Sequence, residues 1–164
     1  VFSYPVLEQL DEAVVECPVE FPYVPGLLTF REGPVGLAAL NQLTASWDLL
    51  LCDGQGYAHP RRLGLASHLG VLLDWPSIGC AKSRLIGTYG ELGEEPGSWT
   101  ELLDDGEVVG AVVRTRRAVK PVFVSVGHRI GLKRAIELVL SCTRNRRLPE
   151  PLRRAHVLAS GGKY

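Results

Sequence analysis

Apolar residues recur along this chain with two different periods. Leu65, Ala66, Leu69, Leu72 and Leu73 stand at i, i+3 and i+4 spacing, which predicts a helix ending before Asp74-Trp75-Pro76. Leu132, Ala135, Ile136 and Val139 repeat that spacing and predict an amphipathic helix to about Arg144. Pro149-Glu150-Pro151 opens a last helix through His156, because proline is tolerated in a first helical turn. Residues 27–43 are helical in pattern, interrupted or restarted at Gly33-Pro34, with Phe30, Leu37 and Leu40 on the apolar side. Short apolar runs predict strands over 12–17, 47–52 and 77–81, and near 107–114 and 121–126. Asp104-Asp105-Gly106-Glu107 reads as a turn between Leu102-Leu103 and Val108-Val109. Residues 83–100 have no period and predict a surface loop, and Phe21-Pro22-Tyr23-Val24-Pro25-Gly26 predicts an exposed loop with an aromatic tip. The alternation of strands and helices predicts an α/β chain, a mixed sheet covered by helices, in one domain over 1–164.

One strand ends on a charge. Leu49-Leu50-Leu51-Cys52 runs directly into Asp53-Gly54-Gln55-Gly56, and a carboxylate is costly inside an apolar layer. Asp53 is therefore expected at the sheet's rim, with Gly54 and Gly56 letting backbone approach whatever sits there. A plain Asp-Gly turn is the alternative, but no second strand follows Gly56.

With 46% hydrophobic and 22% charged residues the composition is that of an ordinary globular chain. No apolar run approaches the roughly 20 residues that span a bilayer, so no membrane contact and a cytoplasmic location are expected. Cys17, Cys52, Cys80 and Cys142 are far apart with apolar neighbours, which predicts buried free thiols rather than a zinc site or disulfide framework. The chain lacks methionine and opens in what reads as mid-strand, so a preceding segment is expected. Net charge is zero, yet residues 1–60 hold one Arg against eight acids, and residues 111–164 hold thirteen Lys and Arg against two acids. That polarity suits a chain that grips a polyanion on one side and carries metal-binding acids on the other, or a set of solvated helix faces.

Several segments line up in order: Pro22-Tyr23-Val24-Pro25-Gly26, Phe30-Arg31-Glu32-Gly33-Pro34, Asp53-Gly54-Gln55-Gly56, His59-Pro60-Arg61, Ala66-Ser67-His68-Leu69-Gly70, Ile78-Gly79-Cys80-Ala81-Lys82 and Ser125-Val126-Gly127-His128-Arg129. Together they resemble the endonuclease V family over nearly the whole chain. The resemblance implies a ribonuclease H-like fold and a Mg²⁺-dependent nuclease, with Mn²⁺ as a substitute ion. It also implies recognition of inosine in DNA, with RNA an open alternative, and cutting at the second phosphodiester 3′ to it, in DNA repair. Phosphodiester hydrolysis needs an activated hydroxide, charge neutralisation and leaving-group stabilisation, which ions held by carboxylates supply.

By resemblance Glu32 and Asp53 match two acidic metal ligands, and His156 stands at a further metal-site position, as second-metal ligand or leaving-group aid. Lys82 falls beside the scissile phosphate or attacking water. Tyr23, stiffened by Pro22, Val24, Pro25 and Gly26, looks like a wedge that fills the gap left by an extruded base. Gly26, Leu28, Gly54, Gly56, His59, Gly64 and Ala81 would line the base pocket. Arg61, Arg84, His128 and Arg129 are candidate phosphate contacts. Taken without the resemblance, Glu32 is a surface acid, His156 a partly exposed polar residue and Tyr23 a loop anchor.

The family's first metal-binding aspartate, on its opening strand, has no counterpart here, since Asp11 lies in a polar turn. The expectation is that this strand belongs upstream of Val1. The alternatives are a noncatalytic inosine-binding relative and the related nuclease domain of a nucleotide-excision incision subunit, which should lack the tyrosine wedge. A monomer is expected.

Overall fold

The computed structural model describes residues 1–18 and 20–161. Five strands form one mixed sheet: β1 (Leu50–Cys52), β2 (Ser77–Ala81), β3 (Trp99–Asp104), β4 (Glu107–Val113) and β5 (Val122–His128), in the order β1-β2-β5-β4-β3. β1 and β2 are parallel, joined through helix α2 (Leu65–Leu73), and the other pairings are antiparallel. Helices α1 (Leu28–Leu40), α3 (Leu132–Ser141) and α4 (Glu150–Ala159) complete the architecture.

Every residue of β2 is buried, as a strand covered on both faces must be. Ile78 and Cys80 join Val113, Val122 and Val124 beneath Ala135, Ile136 and Val139 of α3 and Leu152 of α4. A second cluster holds Ala81, Phe123, Val112, Val109 and Leu102 around Ala58. Cys52 packs with Leu65, Ala66 and Leu69, seating α2 beside β1. Among the described residues no helix is long and apolar enough to cross a membrane.

Five sequence expectations need correction. Residues 12–17 form no strand: exposed and half-buried positions alternate, but the backbone finds no ladder partner. The opening residues likewise make only an isolated antiparallel bridge, Phe2 with Gln9. Gly33-Pro34 does not divide α1, which runs continuously with Pro34 inside it. The cost of a proline there, about 3 kcal/mol, is offset by packing of Leu28 and Leu37 against the Cys52–Leu65–Leu69 cluster. The supposed loop 83–100 gives way at Trp99 to β3, an edge strand in which only Leu102 is fully buried. Of the cysteines, all free, Cys52 and Cys80 are buried and Cys142 is partly covered, but Cys17 is exposed.

Candidate active site

Strand β1 stops at Cys52, and Asp53 follows at the rim, its side chain 38% exposed. Strand β2 runs parallel to it and stops at Ala81, so Lys82 emerges at the same edge. Their side chains meet: Lys82 Nζ donates to Asp53 Oδ2 at 2.6 Å. Glu32 on α1 senses this pair. Loss of hydration, then the Asp53 charge, raises its pKa above the ordinary carboxyl value, against the weaker pull of Arg31 and Lys82. Two carboxylates thus share one neighbourhood with one lysine. Beneath them, burial pushes the Cys52 and Cys80 thiols up to about 12, so neither competes as a ligand or nucleophile.

The turn after Asp53 is locked by its own backbone. Gly56 N donates to Ser125 Oγ at 2.9 Å, Tyr57 N to Val126 O at 2.7 Å, and Ala66 N to Gln55 O at 3.0 Å. A Cβ on Gly56 would lie 2.1 Å from Val126 O, and one on Gly79 would lie 2.4 Å from Gly56 N. The close approach of Gly56 is thus made to β5. Gln55, which no sequence signal singled out, donates from Nε2 to Ser83 O at 2.9 Å and pins the turn to the end of β2. Its Oε1 is buried without a donor.

A cleft of about 260 Å³ opens beside Asp53 and Lys82. Tyr23, Val24, Pro25, Gly26 and Leu28 form one wall; Gly54, His59, Gly64, Ala81 and Arg84 line the rest. Thr29, Gln55, Leu65, Ser83 and Leu85 also line it and were not foreseen. Tyr23 is 70% exposed at the lip, which excludes a role as a core anchor. Its loop is held from behind by Arg31 Nη1 donating to Phe21 O at 3.0 Å and by Phe21 against Phe30, ring centroids 5.6 Å apart.

His59 fastens the other end of that loop. Its Nε2 donates to Gly26 O at 3.0 Å while its Nδ1 accepts from Arg61 N at 3.2 Å, which fixes the neutral tautomer. Burial lowers its pKa in the same sense. Arg61, a candidate phosphate contact, donates from its guanidinium Nη2 to Gly26 O. The His59 segment is itself braced by the β3–β4 hairpin: Arg62 contacts Asp104 and Glu107 at 2.8 Å each and donates to His59 O, and Tyr57 donates to Glu107 at 2.6 Å. No sequence signal announced this brace, because its acids sit in what reads as an ordinary turn.

Other expected site residues are elsewhere. His128 ends β5 and Arg129 follows it, at the opposite end of β2, where Ser77 pairs with His128. Both engage Asp74, at 3.1 and 2.9 Å, instead of facing the cleft. An antiparallel neighbour of β2 must end where β2 begins, so a site at β2's far end is out of their reach. Arg84 does line the cleft, with its guanidinium 5.9 Å from the Tyr89 ring. His156 lies exposed on α4. Among the described residues no three His, Cys, Asp or Glu side chains gather as a metal cage, so the expected triplet of Glu32, Asp53 and His156 is not assembled. The helix turns Glu150 and Leu152 inward, leaving His156 on its solvent side.

The model of the endonuclease V family matches residues 1–157. An endonuclease V from Gloeobacter violaceus is 60% identical over 157 residues, 95% of this chain and 64% of that protein. The crystal structure of a Streptomyces avermitilis endonuclease V superposes with a TM-score of 0.82 at 52% identity, covering 87% of this chain and 63% of the other. A Ciona intestinalis endonuclease V, solved with a 24mer DNA containing an inosine followed by a ribo-adenosine, gives a TM-score of 0.84 at 31% identity, covering 98% of this chain and 75% of that one. The chain thus spans somewhat under two thirds of the length of the first two.

Proposed function

The chain belongs to the endonuclease V family, and from that premise we propose that it acts in a divalent-cation-dependent endonuclease that cuts nucleic acid beside inosine. The fold is ribonuclease H-like. The observation that carries the reading is the convergence of Asp53, Lys82 and the Tyr23 loop on one cleft. The Ciona intestinalis relative bound to inosine-containing DNA supports the substrate class.

The donor set suits a small hard cation such as Mg²⁺, which keeps several waters and is held by one or two carboxylates plus substrate phosphate. Asp53 and Glu32 would hold it. Bound there, such an ion supplies charge neutralisation and an activated water. The remaining chemistry belongs to the chain. Lys82 has its ammonium at the mouth of the cleft, where it can pair with a phosphoryl oxygen once Asp53 is otherwise engaged. Tyr23 presents an aromatic face that can stack in the gap left by an extruded base. The backbone around Gly26 and Gly54 leaves the narrow cleft open to a flat purine. His59 stays neutral and holds Gly26 in place. The four free thiols fit a reducing compartment such as the cytoplasm.

The test is incubation of the full chain with inosine-bearing and inosine-free DNA and RNA strands in Mg²⁺ or Mn²⁺, with product ends mapped. The reading expects a nick at the second phosphodiester 3′ to inosine; no nicking, or nicking indifferent to inosine, overturns it.

A further inference from the structure

Two loops concentrate positive charge at one place. The β4–β5 connection, residues 114–121, and the α3–α4 connection, residues 142–149, hold seven Lys and Arg and no acid, in a chain whose 18 cations and 18 anions balance overall.

They form a single unit, clasped by Arg147. Thr115 Oγ1 donates to Arg147 O at 2.7 Å. The Arg147 guanidinium donates from Nε to Lys120 O at 2.9 Å, and from Nη2 to Pro121 O at 2.9 Å and to Lys82 O. One planar group therefore joins both loops to the residue that pairs with Asp53. The basic loops stand at the same end of β2 as the cleft, and a guanidinium's reach separates the Lys120 and Lys82 backbones.

Four of the seven cations are committed. Arg147 acts as the clasp, Arg114 donates to Gly93 O and Val119 O, Arg144 donates to Val6 O, and Arg117 lies 3.7 Å from Glu95. Arg116, Lys120 and Arg146 are exposed, and no acid pairs with them among the described residues. Fixing like charges together without counter-charges raises the energy of the folded state unless an anion offsets them. A solvated loop needs neither the clasp nor its attachment to Lys82.

We propose that these two loops form a phosphate track that carries the nucleic-acid backbone flanking the nucleotide held at the Asp53–Lys82 cleft. The inference rests on the reading of that cleft as a nucleic-acid site. The track reads charge and not sequence, so it grips inosine-free and inosine-bearing strands alike.

The experiment compares the full chain with Arg116→Gln/Lys120→Gln/Arg146→Gln. Binding to an inosine-free duplex is measured across a KCl series, alongside nicking of an inosine-bearing one. Each phosphate contact contributes about 0.9 to the slope of log affinity against log salt, so the slope should become shallower by about 2 to 3. The loss of kcat/KM should fall on KM. Lys133→Gln/Arg134→Gln, on the exposed side of α3, should keep the parent slope. An unchanged slope in the triple variant, or a parent chain that shows no salt-dependent binding, overturns the track. If the triple variant flattens the slope while the parent never cuts at inosine, the track stands and the proposed activity falls. If the parent cuts at inosine and the triple variant keeps the parent slope, the activity stands and the track falls.

Discussion

The two ends of β2 each set an aspartate against basic side chains, and they do so to opposite effect. At the end of the strand Lys82 meets Asp53 at 2.6 Å, while at its start Asp74 receives His128 at 3.1 Å and Arg129 at 2.9 Å. The first end sets Asp53 and Glu32 near Lys82, with Arg31 also pulling on Glu32 and a cleft beside them. The second has one carboxylate for an arginine and a histidine, in a backbone where both Asp74 and Arg129 take left-handed φ angles, 54° and 49°. Asp53 is left partly exposed by its single lysine partner, next to open space, and can take a further positive charge from outside. Acid met by an arginine and a histidine ring nitrogen closes on itself and holds a corner together.

The sharpest way to break this contrast is to delete each aspartate. Asp53→Ala should lower inosine-directed nicking at least about 100-fold while leaving the fold intact. Asp74→Ala should cost no more than a few-fold in activity, with its effect appearing in the melting temperature. Equal activity losses would dissolve the distinction. Tyr23→Ala comes next: stacking worth about 1–3 kcal/mol should disappear on duplex, a drop of about 10- to 100-fold in kcat/KM, with a smaller drop on single strands. A loss of the same size on both would remove the wedge from the comparison.

Glu107→Ala tests whether the cleft end depends on its brace. Freed from Glu107, Arg62 and Tyr57 should hold His59 less firmly, and kcat/KM should fall up to about 10-fold with little change in thermal stability. Asp74→Asn should lower stability by less than about 1 kcal/mol, since the Asp74–Arg129 ion pair is solvent-exposed.

The smallest expected effect concerns pH. Glu32's folded pKa lies above its ordinary 4.5, so the folded chain holds that proton more tightly than the unfolded chain. Its contribution to stability is complete below the ordinary value and is lost as pH rises through the raised one. Without divalent ions, melting temperature should therefore decline over that window, and Glu32→Gln should flatten the decline. Divalent-ion affinity should rise over the same window, because the carboxylate must be free of its proton to bind.

Much of this contrast could be read from residues alone, and the unread parts share a cause. Leu49-Leu50-Leu51-Cys52 followed by Asp53 announced a charged rim because solvation permits little else. The helix over 65–73 was plain in its spacing and ends as expected. β3 was hidden because an edge strand buries a single residue, Leu102, and so carries almost no alternation. Residues 12–17 show the alternation but not the partner, and a strand is defined by its partner. Pro34 misled because local propensity yields to packing over α1. His128 and Arg129 looked like phosphate contacts from the resemblance and their place after an apolar strand, and only the antiparallel register of β5 on β2 sends them away. The Arg147 clasp and the Glu107 brace join segments 65 and 45 positions apart, and neither has a local signature.

The uneven burial of the four thiols has a practical consequence. Cys52 and Cys80 are sealed in the sheet, Cys142 is partly covered, and Cys17 faces solvent six positions before Tyr23. A maleimide dye should therefore attach to Cys17 first, without any engineered mutation. Its emission would then register movements of the tyrosine lip as a strand enters or leaves.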